Sequence, residues 1–217
     1  MFATQYYTLV ASLREYALDA DTKGFDAREI IDSILEGVSA ADARRVRLLY
    51  GYYDCENLAA LRSGRTAFNE LGNLSREELE EELRSPQRLP EALARVVRAY
   101  ADPEGEEAES VDTAQRFEKE LFEAYYAACE GSRSRFLRAW SAFDRTLRNV
   151  TAAVAARTAG RSIDEAVVGQ GDVVDQLRRS SAADFGLRGE LPWIDAVIAA
   201  LNDEANLVEK ERKLDLI

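Results

Sequence analysis

The sequence SAADARRVRLLYGYYDCENLAALRSG, residues 39–64, decides the predicted fold because it has the features of one long α-helix. Ser39 stands at a position typical of an N-cap, Asp42 follows three residues later, and Gly64 suits the position just after a helix C-terminus. No proline interrupts the stretch. Apolar and aromatic residues recur at helical spacing and form one stripe: Val46, Leu49, Tyr50, Tyr53 and Leu61.

Two polar residues belong to this stripe. At about 100° per residue, Asn57 falls near its centre and Asp54 at its edge. An asparagine among core positions costs about 1–3 kcal/mol unless it is hydrogen-bonded, and Asp54, one turn back, can supply one partner. Two interpretations stay open: a solvated aspartate beside a locally satisfied asparagine, or a buried polar pair that fixes the packing of the helix.

Composition predicts an acidic, helical protein. The 217 residues are enough for a sizeable core, in one domain or two small ones. Proline is scarce, and strong helix formers dominate the chain. The net charge of −12 argues against nucleic acid or an anionic membrane as the main partner. No run of about 18 apolar residues is present, so no transmembrane segment is predicted.

The absence of histidine restricts the chemistry that the chain can perform. Ser–His and Cys–His nucleophiles are excluded, and the two cysteines, Cys55 and Cys129, are too isolated to form a zinc cluster. We therefore predict a protein without catalytic, cofactor or metal sites. A helical enzyme that uses acidic residues and a divalent metal is a third hypothesis, and the lack of a Glu-x-x-His repeat counts against it.

The acidic segment DPEGEEAES, residues 102–110, is the predicted internal boundary. It separates an N-terminal helical part, residues 1–101, from a C-terminal helical part, residues 111–217. The C-terminal part is predicted to contain a long helical hairpin, with helices at 111–130 and 133–158, followed by a final helix. The two parts can also pack as one domain.

The second helix of this hairpin resembles the central helix. Asp144 follows an aromatic residue, as Asp54 does, and Arg157 precedes a glycine-containing turn, as Arg62 does. Asp144 and Arg157 are therefore candidate equivalents in an internal duplication, with chance similarity between two alanine-rich helices as the alternative.

The asparagine of the central helix has no counterpart at the matching position. Leu147 stands three residues after the second aspartate, where a repeat of Asn57 would lie. The nearest asparagine, Asn149, falls on another face of an ideal helix. The sequence therefore predicts that the polar pair is not repeated.

The end of the chain is predicted to form one helix from Pro192 that is still continuing at Ile217. Apolar residues recur through this segment, and no terminating signal closes it. The expectation is a truncated or naturally shortened chain, whose missing segment would pack on the final helix.

Three stretches resemble a known family. The pattern D-x-x-N-L-x-x-L-R at 54–62, preceded by aromatic residues, resembles the repeated helix of the V-type ATPase C-subunit family, whose eukaryotic members are called d. YYTLVASL at 6–13 and EKERKLDLI at 209–217 extend the resemblance, which is strongest to short, uncharacterised bacterial relatives in that family. The resemblance implies an all-α bundle of antiparallel helices, with a candidate internal duplication.

The same resemblance implies a function. It indicates a non-catalytic subunit of a V- or A-type ATPase that links the central stalk to the membrane rotor ring and transmits torque in ion transport. Its partners would be other ATPase subunits, without nucleic acid or membrane insertion, at the cytoplasmic side of the inner membrane. Asp54 and Asn57 would be structural residues. The alternative is an unrelated helical adaptor or regulatory domain that binds a partner helix.

Overall fold

The computed structural model describes residues 6–16, 24–101, 111–203 and 206–217. These residues form helices and no β-strand, which confirms the predicted all-α class. None of the helices in these ranges is both long and apolar enough to cross a membrane. The helices are α1 (Tyr7–Ser12), α2 (Ala27–Gly37), α3 (Ala40–Arg62), α4 (Arg76–Arg84), α5 (Glu91–Ala99), α6 (Val111–Glu130), α7 (Arg135–Thr158), α8 (Ile163–Ala166), α9 (Asp172–Arg179), α10 (Ile194–Asn202) and α11 (Leu207–Asp215).

The chain divides into two compact units, residues 1–137 and 138–217. The predicted boundary at 102–110 lies outside the described residues. In the first unit, α3 packs against α2, α4 and α6, and α5 packs against α4 and α6. The buried face of α3 consists of Ala43, Gly51, Asp54, Cys55 and residues 57–60, whereas the five apolar and aromatic residues of the predicted stripe are only partly buried. The fully buried side chains of this unit include Leu58, Leu79, Leu93, Phe117 and Leu121.

Both ends of α3 follow the predicted signals. The Ser39 hydroxyl oxygen accepts a hydrogen bond from the Asp42 N–H at 3.2 Å, and the Tyr6 hydroxyl donates to the Asp42 carboxylate at 2.6 Å. Gly64 adopts a φ of 66°, which L-residues rarely take, and the Arg65 N–H returns to the Ala60 carbonyl at 2.9 Å. The central helix therefore begins and ends as its sequence predicts.

The second unit has its own core. Val150 on α7, Ile194 and Val197 on α10, and Phe185 in the segment between α9 and α10 are among its buried side chains. Within this unit α8 packs against α9, and α10 packs against α11. The unit therefore has a contiguous apolar core that is formed by its own residues.

The predicted single helix from Pro192 is wrong, because the segment forms two helices. After α10 the backbone of Asp203 is extended (φ −64°, ψ 140°), and Asn206 then caps α11 by accepting the Glu209 N–H at 3.0 Å. An asparagine side chain that bonds to nearby backbone competes with helix continuation, so it favours a new start here. Leu214 and Ile217 are partly buried against the core of the second unit.

Candidate functional site

The Asp54 and Asn57 side chains are both buried on α3, with exposed fractions of 3% and 1%. They lie one helical turn apart and contact the segment 69–74 that connects α3 to α4. No hydrogen bond joins the two side chains to each other in the part of the chain that the structure describes. The expectation that Asp54 would supply a partner to Asn57 is therefore corrected, because both side chains bind the connecting segment.

Asn57 binds one residue of the connecting segment at two points. Its amide nitrogen donates to the Asn69 carbonyl at 2.8 Å, and its amide oxygen accepts the Asn69 N–H at 2.7 Å. We call this arrangement, in which one side-chain amide satisfies both backbone groups of a single residue, a two-point amide contact. It gives the buried asparagine both a donor and an acceptor partner, so the asparagine is not left unsatisfied.

Asp54 fixes the end of the same segment. One carboxylate oxygen accepts the N–H groups of Asn73 at 2.7 Å and Leu74 at 3.2 Å, and the other accepts the Asn73 side-chain amide at 2.6 Å. Burial raises the pKa of the Asp54 carboxyl above its ordinary value, although these donors act in the opposite direction. A carboxylate whose oxygens are already bonded to these groups suits a structural role better than proton transfer.

Gly72 brings the backbone of the segment against the polar pair. A Cβ atom at this position would lie 2.8 Å from an Asp54 carboxylate oxygen and 3.1 Å from the Asn57 amide nitrogen. Arg28 on α2 donates to the Gly72 carbonyl at 2.6 Å from the other side. Neither Gly72 nor Arg28 was predicted as a site residue, although a glycine in a short polar connection is a typical sign of close backbone approach.

A second buried carboxylate, Glu82 on α4, was also missed. It is 1% exposed, and its oxygens accept the backbone N–H groups of Gln87 at 2.8 Å, Arg88 at 3.0 Å and Leu89 at 3.1 Å. It therefore fixes the turn between α4 and α5 as Asp54 fixes the segment before α4. In the sequence it belongs to the run REELEEELR and has six charged neighbours there. Such a run is most simply interpreted as a solvent-exposed helix face.

A pocket of about 560 Å³ lies between α3, α6 and the two fixed connections of the first unit; we call it the α3 pocket. Arginines stand at its polar side, and Asp54 and Asn73 also line it. Tyr125 on α6 donates to the Leu49 carbonyl at 3.1 Å and so ties α6 to α3. The lining residues are Arg44, Arg47, Leu48, Gly51, Asp54, Asn73, Leu74, Arg88, Leu89, Pro90, Leu93, Tyr125 and Ala128.

The surroundings of the two cysteines and of the acidic side chains bear on thiol and metal chemistry. Cys55 and Cys129 are both buried, and no disulfide joins them. Burial raises the pKa of the Cys55 thiol well above its ordinary value, which disfavours the reactive thiolate. Among the residues with described positions, no group of three or more carboxylate or thiol side chains could hold a metal ion.

The second unit repeats the two-point amide contact through an unexpected residue. Asn149 on α7 is 3% exposed; its amide nitrogen donates to the Val168 carbonyl at 2.9 Å, and its amide oxygen accepts the Val168 N–H at 2.8 Å. The Asp-x-x-Asn pair itself does not recur at 144–147, where Leu147 stands in place of an asparagine, and the contact comes from Asn149 instead. The face of Asn149 is covered by the connection between α8 and α9, which periodicity alone does not show.

The two candidate repeat equivalents have different roles. The Arg157 guanidinium lies 3.7 Å from the centre of the Phe185 ring and donates to the carbonyls of Ala182 and Ser180, each at 2.7 Å. Asp144 instead pairs with Arg148 one turn later, at 2.9 Å.

The arginine before the first turn has an aromatic setting as well. The Arg62 guanidinium lies 4.9 Å from the centre of the Phe117 ring and 5.4 Å from that of Tyr100. An arginine that ends a long helix and stacks on aromatic rings is thus common to both units, whereas the buried aspartate of α3 is not matched by Asp144.

Comparison with protein families gives one match, to a family described as "Protein of unknown function (DUF2764)", over residues 3–217. This chain belongs to that family. The match covers both units of this DUF2764 protein and all of the site described above. Neither the search of curated proteins nor the search of solved structures returned a match.

Proposed function

We propose that this DUF2764 protein is a non-catalytic subunit of a V- or A-type ATPase, one that links the central stalk to the membrane rotor ring. The observation that carries the proposal is the burial of Asp54 and Asn57 at the centre of α3, where both fasten the segment 69–74. These residues belong to the D-x-x-N-L-x-x-L-R motif at 54–62 that resembles the C-subunit family of V-type ATPases. Their structural role is the one that the resemblance implies.

The geometry suits a part that transmits torque. Lifting the segment 69–74 from α3 would leave the buried groups of Asp54 and Asn57 without their partners, at a cost of about 1–3 kcal/mol for each unsatisfied group. Such a connection resists local opening. The contact between Asn149 and Val168 gives the second unit a similar internal link.

The proposed partners are the stalk and ring subunits, at the cytoplasmic side of the membrane. The net charge of −12 favours basic surfaces on those partners, and interactions of this kind weaken as salt rises. The protein itself would perform no chemistry. ATP-driven ion transport would depend on it only through mechanical coupling.

Deleting the gene in the organism that encodes the chain tests the proposal. Inverted membrane vesicles from the deletion strain should hydrolyse ATP with much less ion uptake per ATP, and the purified full chain should restore the ratio. The control is Asp32→Ala, which removes an exposed carboxylate paired with Arg28 on α2; it should restore coupling as well as the wild type does.

An unchanged ratio of ion uptake to ATP hydrolysis in the deletion strain would contradict the proposal. So would purification of an intact, coupled ATPase without this chain. Either result would favour the alternative of an adaptor or regulatory domain unconnected with the ATPase.

A further inference from the structure

The α3 pocket has a largely apolar lining. Leu48, Leu74 and Ala128 line it with partly exposed apolar side chains, whereas Leu93 and Tyr125, which also line it, are almost fully buried. A volume of about 560 Å³ is within the range of small-molecule sites, roughly 300–1,000 Å³. The pocket can therefore enclose a compact apolar body.

Two buried carboxylates preform this pocket from opposite connections. Asp54 holds Asn73 and Leu74, and Glu82 holds Arg88 and Leu89. All of these residues except Glu82 line the pocket themselves. A site whose walls are fixed before binding loses less free energy to ordering when a ligand enters.

The three arginines that line the pocket differ in their ion pairing. Arg44 and Arg47 are exposed, lie three residues apart on α3, and form no ion pair with any residue that the structure describes. Arg88 differs, because Glu81 at 3.1 Å and Glu78 at 3.9 Å already pair with it. Arg44 and Arg47 are thus two available guanidinium groups beside an apolar pocket, in a chain whose net charge is −12.

We propose that the α3 pocket binds an amphiphilic organic anion, a small molecule with one carboxylate or sulfonate group on a compact apolar body. The body would contact Leu48, Leu74 and Ala128, and the anionic group would lie between Arg44 and Arg47. Guanidinium groups suit such an anion because they offer paired donors and a fixed charge. The Asp54 carboxylate competes little for these arginines, since its oxygens already accept three hydrogen bonds from the connecting segment.

Anilinonaphthalene sulfonate is the probe, and its uncharged analogue phenylnaphthylamine is the matched ligand control. The test variant is Arg44→Glu/Arg47→Glu. The protein control is Arg84→Glu/Arg95→Glu, which makes the same charge change at exposed positions on α4 and α5 outside the pocket. Circular dichroism should show equal helicity for all three proteins, because the four arginines are exposed.

The wild type and the control should bind one sulfonate dye per chain, with affinities that agree within about twofold. The pocket variant should bind it about tenfold more weakly or worse, while phenylnaphthylamine binds all three proteins equally. Decanoate should displace the sulfonate dye from the wild type, and decanol at the same concentration should displace much less. Absence of saturable dye binding, or equal loss of affinity in both double variants, would overturn the proposal.

The result is independent of the ATPase proposal. Anion binding that depends on Arg44 and Arg47 stands even when ion uptake is unaffected by gene deletion. Failure of dye binding, in turn, leaves the coupling experiment unchanged.

Discussion

The two units fasten their connecting segments with the same chemistry but to different degrees. In the first unit Asn57 binds both backbone groups of Asn69, twelve residues later, and in the second Asn149 binds both backbone groups of Val168, nineteen residues later. Among the residues that the structure describes, the first unit alone adds a buried carboxylate, Asp54, to the same connection. The two-point amide contact is therefore the shared element, and the carboxylate is a reinforcement of one unit.

This difference shows what each polar group contributes. An amide can satisfy one donor and one acceptor of a peptide unit, so it fixes one point of a chain. A carboxylate accepts several N–H groups at once, so it fixes a turn; Asp54 does this at residues 73–74 and Glu82 does it at 87–89. The first unit uses both devices, and these two turns form walls of the α3 pocket.

Replacing Asp54 by alanine should have the largest effect on stability. The substitution leaves the N–H groups of Asn73 and Leu74 and the Asn73 amide without their shared acceptor. Hydrogen bonds to a charged group contribute more than neutral ones, so we expect a loss of about 3 kcal/mol in the free energy of unfolding, measured with urea. Asp32→Ala should change it by less than about 0.5 kcal/mol, because that pair is exposed. Equal losses for both variants would show that the buried contacts of Asp54 add nothing to stability.

The two asparagines should be equivalent if the shared contact has the same energetic role in both units. Asn57→Ala and Asn149→Ala each remove two hydrogen bonds made by a buried side chain, so each should cost about 2 kcal/mol. Hydrogen exchange should separate their local effects: the first variant should speed exchange at the Asn69 amide and leave the Val168 amide protected, and the second should do the reverse. Clearly unequal losses in the free energy of unfolding would show that the contact does not stabilise the two units to the same degree.

Much of the fold was predictable because local signals agree with one another. Ser39 and Gly64 set the ends of α3, and the helical stripe places Asp54 and Asn57 inward, where the structure buries them. The break between α10 and α11 was harder to predict from the sequence. Asn206 was a recognisable cap, but the apolar pattern continues across it, so periodicity alone favoured one helix.

The rest of the site depends on contacts that periodicity does not describe. Glu82 looks solvated within a charged run, yet a turn folds over it and delivers backbone donors. Asn149 lies off the apolar stripe of α7, yet the connection between α8 and α9 covers that face. In both cases the partner is backbone of an irregular segment, whose path a hydrophobic pattern does not specify.

Two glycines of the first unit should respond oppositely to alanine. Neither has a positive φ, so alanine does not strain the backbone at either position. At Gly72 the new Cβ would lie 2.8 Å from Asp54, and we expect a loss of about 1–2 kcal/mol from overpacking. At Gly51, inside α3, the Cβ would meet only the Tyr125 ring at 3.8 Å, and better helix propensity should add about 0.5–1 kcal/mol. A Gly72→Ala protein as stable as the wild type in urea unfolding would contradict the close approach of the segment to the polar pair.

The smallest expected effect is a pH dependence that isolates the ionisation of Asp54. Burial raises its pKa above the ordinary value of 3.8, and the donors from Asn73 and Leu74 offset part of this rise. The folded state therefore holds the proton more tightly than the unfolded state does. The contribution of Asp54 protonation to the free energy of unfolding is therefore fully present below about pH 3.8, and it is lost as the pH rises through the folded-state pKa.

Asp54→Asn removes this titration but keeps the shape of the side chain, so the difference in unfolding free energy between wild type and variant reports Asp54 alone. The other carboxylates titrate in both proteins and cancel. Urea unfolding at a series of pH values from neutral downward should show that the advantage of the wild type widens as the pH falls toward the ordinary value of 3.8. A narrowing advantage would mean that the backbone donors outweigh burial. The pKa of Asp54 would then be lowered, and Asp54 would hold the connecting segment as a charged group. The two units would differ more in this case, because the Asn149 contact of the second unit is uncharged.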